Sequence, residues 1–327
     1  MYAAVVHAFG DSPRYEFLPD PEAAPGEVAV DVLAAGLHPL VRAVTAGKHP
    51  TSGDRLPLVP GYDGVGRTES GVLVYFSGLV PPQGSMAERA VVPRSSLIPL
   101  PDGLEPATAA ALVNPMISAW LALYERAGLQ AGGAVLVLGA TGSAGRAAVQ
   151  LALLRGAGKV VAVGRNGEAL GELSRMGAHH TVSLDASDEA VAARLRDVAG
   201  DVDVVIDYLW GHPAEVALAA VADGRSDPTR LLRWVAVGSM AGPSIALPSD
   251  VLRGINVDIR GSGAGSAFPD RVDAALRSLI AFLPQADVGT EAVAVPLSEV
   301  EQAWNRQLAT GQRLVLIPER AASGIPG

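Results

Sequence analysis

Five consecutive apolar residues, Ala134–Leu138, precede three glycines at three-residue spacing, Gly139, Gly142 and Gly145. From Ala144 the period lengthens, with Ala147, Ala148, Leu151, Ala152 and Leu154 at helical intervals. The unbroken apolar run predicts a strand buried on both faces, and the glycines predict a phosphate-binding turn into a helix. A Cβ at Gly142 would obstruct a pyrophosphate, whereas Gly145 lets the helix lie close to its strand. Thr141, Ser143 and Ala144 complete the loop. Its free N–H groups, at the positive end of the helix, would face the phosphates.

Beyond this turn the pattern alternates. Strands are expected at Lys159–Val163, His180–Leu184, Asp203–Tyr208, Leu231–Val237 and Ile255–Arg260, with helices at Glu168–Met176, Asp188–Val198 and Pro213–Val221 between them. Such alternation predicts an α/β fold, with a doubly wound parallel sheet of six strands and helices on both faces. Ligand is then expected beyond the carboxyl ends of the strands, near Gly139, Gly164, Tyr208, Val237, Gly238, Ser239 and Gly261.

The flanking segments read differently. Residues 1 to about 104 are β-rich, with strands expected at Tyr2–Phe9, Glu27–Leu33, Gly71–Phe76 and Glu88–Val92 between proline- and glycine-rich turns. Glu105–Gly128 is expected to be helical, with Pro106 in its first turn, Pro115 ending or kinking it near Asn114, and Gly128 as its cap. Arg271–Leu283 is another expected helix. Strands at Val293–Pro296 and Leu314–Ile317 follow, around a helix over Leu297–Leu308, and residues 319–327 are expected to fray. The resulting division is a domain over residues 1–113, completed by 267–327, and a dinucleotide-binding domain over 114–266.

A length of 327 residues allows two domains with sizeable cores. The formal net charge of −9 counts against a surface for nucleic acid or an anionic membrane. The absence of cysteine removes disulfides and thiolate metal sites, and it fits a reducing compartment. The N-terminus shows no basic segment followed by an apolar stretch, and the longest apolar runs are too interrupted to span a bilayer. The chain is expected to be soluble and cytoplasmic, acting on a small molecule.

Six segments together carry a family resemblance: AAGLHPLVRA (34–43), LVPGYDGVGR (58–67), GSMAERAVVP (84–93), LVNPMISAW (112–120), GATGSAGRAAVQLA (139–152) and VAVGSMAG (235–242). In this order the chain resembles the medium-chain dehydrogenase/reductase superfamily, specifically its zinc-free quinone oxidoreductase-like branch, over nearly its whole length. The resemblance implies a GroES-like β-barrel catalytic domain that carries most of the substrate site, beside a Rossmann nucleotide-binding domain. It further implies an active cleft between the domains and a homodimer paired through the sixth strand. Zinc-dependent alcohol dehydrogenases of this superfamily usually hold the metal through Cys, His and Cys. The matching positions here are His38, Tyr62 and Asn114, a poor donor set, and the cysteine-rich structural-zinc lobe is missing. Metal independence is therefore expected.

Without a Lewis acid, an activated C=C bond or a quinone is an easier hydride acceptor than a simple carbonyl, because conjugation spreads the incoming charge onto oxygen. The resemblance implies the same chemistry: hydride passes from a nicotinamide to an enone, enal or quinone. The alternatives are a carbonyl or alcohol oxidoreductase and a non-catalytic nucleotide-binding relative. Tyr62 is the first candidate to hydrogen-bond the developing oxyanion or to deliver a proton, with His38 as a second donor. Asn114 either bonds the nicotinamide ribose or substrate, or simply forms a turn before Pro115. Tyr208 and Trp210 either flank the cofactor or pack. His179 and His180 read as solvated loop residues, and His7, His49 and His212 have no companions that suggest a site.

Cofactor choice turns on the end of the second strand. An NAD-selective fold places an acidic residue there to hold the ribose 2′-hydroxyl. This chain has Gly164, Arg165 and Asn166, and a guanidinium suits a 2′-phosphate, so NADPH is expected. The alternative for Arg165 is an exposed residue at the strand end. Glu168 and Leu184 stand where several quinone oxidoreductases carry lysine and tyrosine, and Arg175 on the same helix is placed to compensate.

Overall fold

Valine, leucine and isoleucine dominate six strands that pair in the order His180–Ser183, Lys159–Gly164, Ala134–Leu138, Val204–Asp207, Leu232–Ala236 and Val257–Gly261. All five pairings are parallel. The order reverses between Ala134–Leu138 and Val204–Asp207, which makes the ends of these two central strands the switch point of a doubly wound sheet. Leu136, Leu138, Val161, Val163, Val205 and Trp234 fill one core with the apolar faces of helices Asp188–Ala199 and Gly211–Asp223. A fully buried Val or Leu contributes ~1.5–3 kcal/mol, so this face accounts for much of the unit's stability. Side chains cap helices here: Asn166 Oδ1 accepts from Ala169 N at 3.1 Å and Ser187 Oγ from Ala190 N at 3.3 Å. Each such cap is worth about 1 kcal/mol.

The computed structural model describes residues 1–266, 269–285, 290–309 and 311–319. The chain divides into two compact units, Met1–Asn114 with the segment from Ile280 onward, and Pro115–Leu279. The first unit is built on a mixed sheet in the order Glu291–Pro296, Gln312–Ile317, Glu27–Gly36, Asp63–Thr68, Leu73–Ser77 and Ile98–Pro99, with Arg89–Pro93 also paired to Glu27–Gly36. A hairpin of Tyr2–Val5 and Arg14–Phe17 stands beside it. Its inner residues Leu37, Val41, Met86, Leu297, Trp304, Leu314 and Leu316 form a separate core.

Several expectations are corrected. Pro115 does not end its helix: Pro106–Trp120 is continuous and runs on into a π-helical segment, Leu121–Arg126. The one amide hydrogen bond that proline removes is outweighed by the burial of Ala109–Val113, Met116 and Ala119 on either side of it. Pro106–Arg126 is thereby long and apolar enough to cross a membrane, contrary to the expectation from interrupted runs, but 61% of its apolar window is buried within the protein. The expected helix over Leu297–Leu308 contracts to a 3-10 turn, Leu297–Glu299, and a short helix, Val300–Ala303. Tyr2–Phe9 contracts to Tyr2–Val5, while Glu27–Leu33 extends to Gly36. The residues 320–327 of the expected fraying tail, and 267–268 at the start of the segment expected to complete the first domain, lie outside the described residues.

Candidate active site

Strand Ala134–Leu138 delivers the glycine loop, and hydrogen bonds fix the loop's start. Gly139 N and Ala140 N both donate to Val163 O, at 2.9 and 2.8 Å, which joins the loop to the end of the neighbouring strand. Gly139 has φ +82°, the left-handed region that favours glycine. The helix begins at Ser143, with Gly142 as its N-cap residue. The two later glycines serve different ends. A Cβ at Gly145 would lie 2.2 Å from Gly139 O and 2.8 Å from Ala140 Cα, so this glycine permits close helix–strand packing. A Cβ at Gly142 would meet nothing closer than Gly139 O at 3.5 Å, so the protein itself does not require glycine there. Arg146 N is the first helical amide with a backbone partner, Gly142 O at 2.8 Å, which leaves the amides of Ser143, Ala144 and Gly145 turned out of the helix end. Thr141 packs its side chain on Gly164, where a Cβ would come within 2.6 Å of Thr141 Cγ2.

At the end of the second strand Arg165 is exposed, and among the described residues no hydrogen bond or ion pair engages it. Asn166 is committed as the cap of the next helix, Gly167–Arg175, so its Oδ1 serves the fold. Arg146, buried behind the loop, pairs with Glu172 of that helix at 2.7 Å. His179 is more than a solvated loop residue: its Nδ1 accepts from Val160 N at 3.1 Å.

The other strand ends are knitted by backbone. Val237 N and Gly238 N donate to Asp207 O at 2.7 and 3.2 Å, and Ala241 N donates to Leu209 O at 2.8 Å. A Cβ at Gly238 would stand 2.7 Å from Tyr208 O, so packing already explains this glycine. Tyr208 is 8% exposed, and burial raises its phenol above the usual value. Ser239 and Gly261 are exposed, and Gly261 O accepts from Arg126 Nε at 2.8 Å. Asp207, fully buried, is the residue sequence reasoning missed here. Its Oδ1 accepts from Leu209 N and Trp210 N at 2.8 and 2.9 Å, and its Oδ2 accepts from Trp234 Nε1 at 3.1 Å.

In the first unit, His38 follows strand Glu27–Gly36 and occupies the N-cap position of the helix Pro39–Thr45 without a side-chain capping bond. Its Nε2 lies 2.9 Å from Asp63 Oδ1, and Tyr75 donates its hydroxyl to Asp63 Oδ2 at 2.7 Å. A carboxylate accepts, so Nε2 donates this bond, and Nδ1 has no hydrogen-bond partner among the described residues. All three side chains are buried, at 2%, 1% and 1% exposure. Burial first, and then the Asp63 charge, hold the Tyr75 phenol far above its ordinary value. The same two causes raise that of half-buried Tyr62, which packs against the core of Leu37, Val41 and Trp304. Asn114 is partly exposed, and its side chain has no hydrogen-bond partner among the described residues. The sequence singled out His38 and Tyr62 but not Asp63, although GYDGVG sets a carboxylate directly after that tyrosine.

A family model described as zinc-binding dehydrogenase matches residues 144–281. The probable NADPH-dependent quinone reductase tdiC of Emericella nidulans is 32% identical over 97% of this chain and 100% of its own length. The quinone oxidoreductase of Rattus norvegicus is 31% identical over 56% of this chain and 57% of its own. Among solved structures, the quinone oxidoreductase of Thermus thermophilus, also solved with NADPH, superposes with a TM-score of 0.77 at 31% identity, over 97% of this chain and 100% of that one. The zinc of the family description does not fit here. The chain has no cysteine, Tyr62 and Asn114 are poor donors beside His38, and no group of three His, Asp or Glu side chains among the described residues is placed to hold a metal ion. The glycine loop, the six-stranded sheet and full-length relatives of two kinds agree: the chain belongs to the medium-chain dehydrogenase/reductase superfamily, in its quinone reductase-like branch.

Proposed function

We propose that this chain is an NADPH-dependent oxidoreductase that passes hydride to a quinone or to an alkene conjugated with a carbonyl, without a metal. The observation that carries the reading is the glycine loop, where a Cβ at Gly142 would make only an ordinary contact with Gly139 O at 3.5 Å and three helix-end amides lack partners in their own helix. Those are the two requirements of a pyrophosphate cradle. NADPH, rather than NADH, is supported by exposed Arg165 at the strand end where an acidic residue would hold a ribose 2′-hydroxyl. The relatives named for NADPH-dependent quinone reduction point the same way. When bound, the nicotinamide supplies the hydride.

The chain's own residues bind, orient and stabilise. Ser143, Ala144 and Gly145 hold the pyrophosphate through backbone amides, and Arg165 holds the 2′-phosphate. With His38, Tyr62 and Asn114 as a poor donor set for a Lewis acid, the acceptor has to spread its own charge, as a quinone or enone does. Tyr62, with a phenol kept protonated by burial, donates a hydrogen bond to the acceptor oxygen. Asp63 fixes the ring of His38 so that its open Nδ1 has one orientation. Asn114 offers a neutral donor to the substrate or the nicotinamide ribose. The chain is also expected to act as a soluble homodimer. Following NADPH absorbance with a panel of quinones, enals, enones and simple aldehydes tests the reading. Oxidation with the conjugated acceptors is expected, and tight NADPH binding with no oxidation by any acceptor would refute it.

A further inference from the structure

The first unit contains a buried cation with a use still unassigned. Arg313, on strand Gln312–Ile317, is 6% exposed, and neither its Nε nor its Nη1 has a hydrogen-bond partner among the described residues. The sheet register places it. Val315 pairs with Gly36 and Leu316 with Ala35, and Leu37 N donates to Leu314 O at 2.9 Å. Continuing that antiparallel register sets Arg313 opposite His38. Residues two apart on a strand share a face, so Arg313 lies on the face of Val315 and Gly36. That face is turned towards helix Pro106–Trp120, because a Cβ at Gly36 would stand 2.5 Å from Ala110 O. Asn114 lies one helical turn beyond Ala110, on the same side of the helix.

Asp63 is the charge that Arg313 feels, yet the two form no ion pair within 4.0 Å among the described residues. The Asp63 oxygens are already committed to His38 and Tyr75. A guanidinium removed from water with unpaired donors is costly unless an anionic oxygen completes it.

We propose that Arg313 binds an anionic oxygen of the reactants, either the substrate oxygen that becomes negative as hydride adds or a phosphate oxygen of the dinucleotide. The inference rests on the oxidoreductase reading. In the first case the acceptor carbon gains the hydride, the electron pair of the broken π bond moves to the conjugated oxygen, and solvent later protonates the enolate. The guanidinium keeps its protons throughout and lowers the energy of that oxyanion, a part a metal ion would otherwise play. A planar fork of donors suits either oxygen.

The competing explanation is charge balance for Asp63 alone, and a pair of variants separates the two. Arg313→Met should lower both thermal stability and function. Asp63→Asn combined with Arg313→Met removes both charges, so stability should recover. Because Asp63 also orients His38, the double variant is read against Asp63→Asn alone: Arg313 acting on substrate predicts a kcat a further ~10- to 100-fold lower on the best acceptor, with NADPH affinity unchanged. Arg313 acting on a phosphate predicts an equal loss in NADPH and NADH affinity of about that size. A double variant with the kcat and nucleotide affinities of Asp63→Asn alone would overturn the proposal. Should the double variant fail to fold, Arg313→Lys keeps the charge beside Asp63 but loses the fork. A stable lysine variant with unchanged kcat and affinities would overturn it equally. Should the wild-type protein oxidise NADPH with no acceptor, the oxidoreductase reading fails by itself, and the affinity measurements alone decide the role of Arg313.

Discussion

Substituting alanine at each of two glycines three residues apart should give opposite phenotypes. At Gly142 the backbone has φ −79° and ψ 162°, open to any residue, and a new Cβ meets only Gly139 O at 3.5 Å. Restricting the unfolded chain gains ~0.4–1 kcal/mol, and losing glycine at an N-cap costs a similar amount, so Gly142→Ala should leave stability within about 1 kcal/mol. At Gly145 a Cβ would fall 2.2 Å from a carbonyl oxygen and 2.8 Å from a Cα, both backbone atoms that cannot turn aside. Overpacking of this kind costs ~1–3 kcal/mol, which in a unit of this size corresponds to a fall in Tm of roughly 2–12 °C. Binding should rank them the other way round for each unit of stability lost. The Gly142→Ala methyl occupies the space proposed for the pyrophosphate, and affinity for NADPH and NADH should fall together by at least ~10-fold, or about 1.4 kcal/mol. Thermal unfolding and titration with both nucleotides measure everything required. Gly142→Ala binding both nucleotides as the wild type does would place the phosphates elsewhere, and a Gly145→Ala protein of unchanged Tm would refute the packing argument.

Arg165→Ala should weaken NADPH about 10-fold, the lower end for a charged hydrogen bond because the side chain is exposed and screened, and leave NADH unchanged; equal losses would show that Arg165 does not read the 2′-phosphate. Exhaustive chelation should leave turnover intact and elemental analysis should find no stoichiometric zinc, whereas one tightly bound zinc per chain required for turnover would overturn the metal-free mechanism. Strand Val257–Gly261 is an edge of the six-stranded sheet, and pairing with its copy would cover it. Light scattering at micromolar concentration should therefore give a dimer, and a monomer at every concentration would contradict that pairing.

The unit Pro115–Leu279 was legible because its strands are short apolar runs and its helices keep one period, so local pattern and tertiary burial agree. The first unit was less so. Strand Asp63–Thr68 reads DGVGRT, which carries two glycines where strand formers are expected, and it was overlooked. The structure supplies the reason: a Cβ at Gly66 would lie 2.3 Å from Val30 Cγ1, and one at Gly64 would lie 2.8 Å from Phe76 Cζ. These glycines admit the neighbouring side chains, a long-range demand with no local signature. For the same reason Tyr62 and His38 stood out as residue types, but Asp63, which reaches His38 across the sheet, and Tyr75, which reaches Asp63 through strand pairing, did not. Gly238 carries a signal of two sources: it sits at a strand end where ligand is expected, and the Tyr208 carbonyl excludes a side chain there by packing alone.

Asp207 illustrates how a buried ionisable group at the switch point can belong to the scaffold and not to the chemistry. It is 0% exposed, and burial raises its carboxyl above the usual value despite the hydrogen bonds that oppose the shift. Both of its carboxylate oxygens are engaged by the protein, one by Leu209 N and Trp210 N and the other by the Trp234 indole. A proton-transfer role would need one of them to face a ligand. What the carboxylate does hold is the turn at Trp210, the only non-glycine residue with positive φ among those described, at φ 53°. A conformation of that kind costs ~1–3 kcal/mol and persists only where surrounding contacts impose it. Two hydrogen bonds to one carboxylate oxygen impose it here, since bonds to a charged acceptor are worth ~1.5–3 kcal/mol each. The same turn starts helix Gly211–Asp223, and Gly211, at φ 60°, lies so close to Ala241 that a Cβ would approach its carbonyl carbon to 2.9 Å. Asp207 therefore fixes the loops after two adjacent strands against each other, and the strain at Trp210 is the cost of closing them.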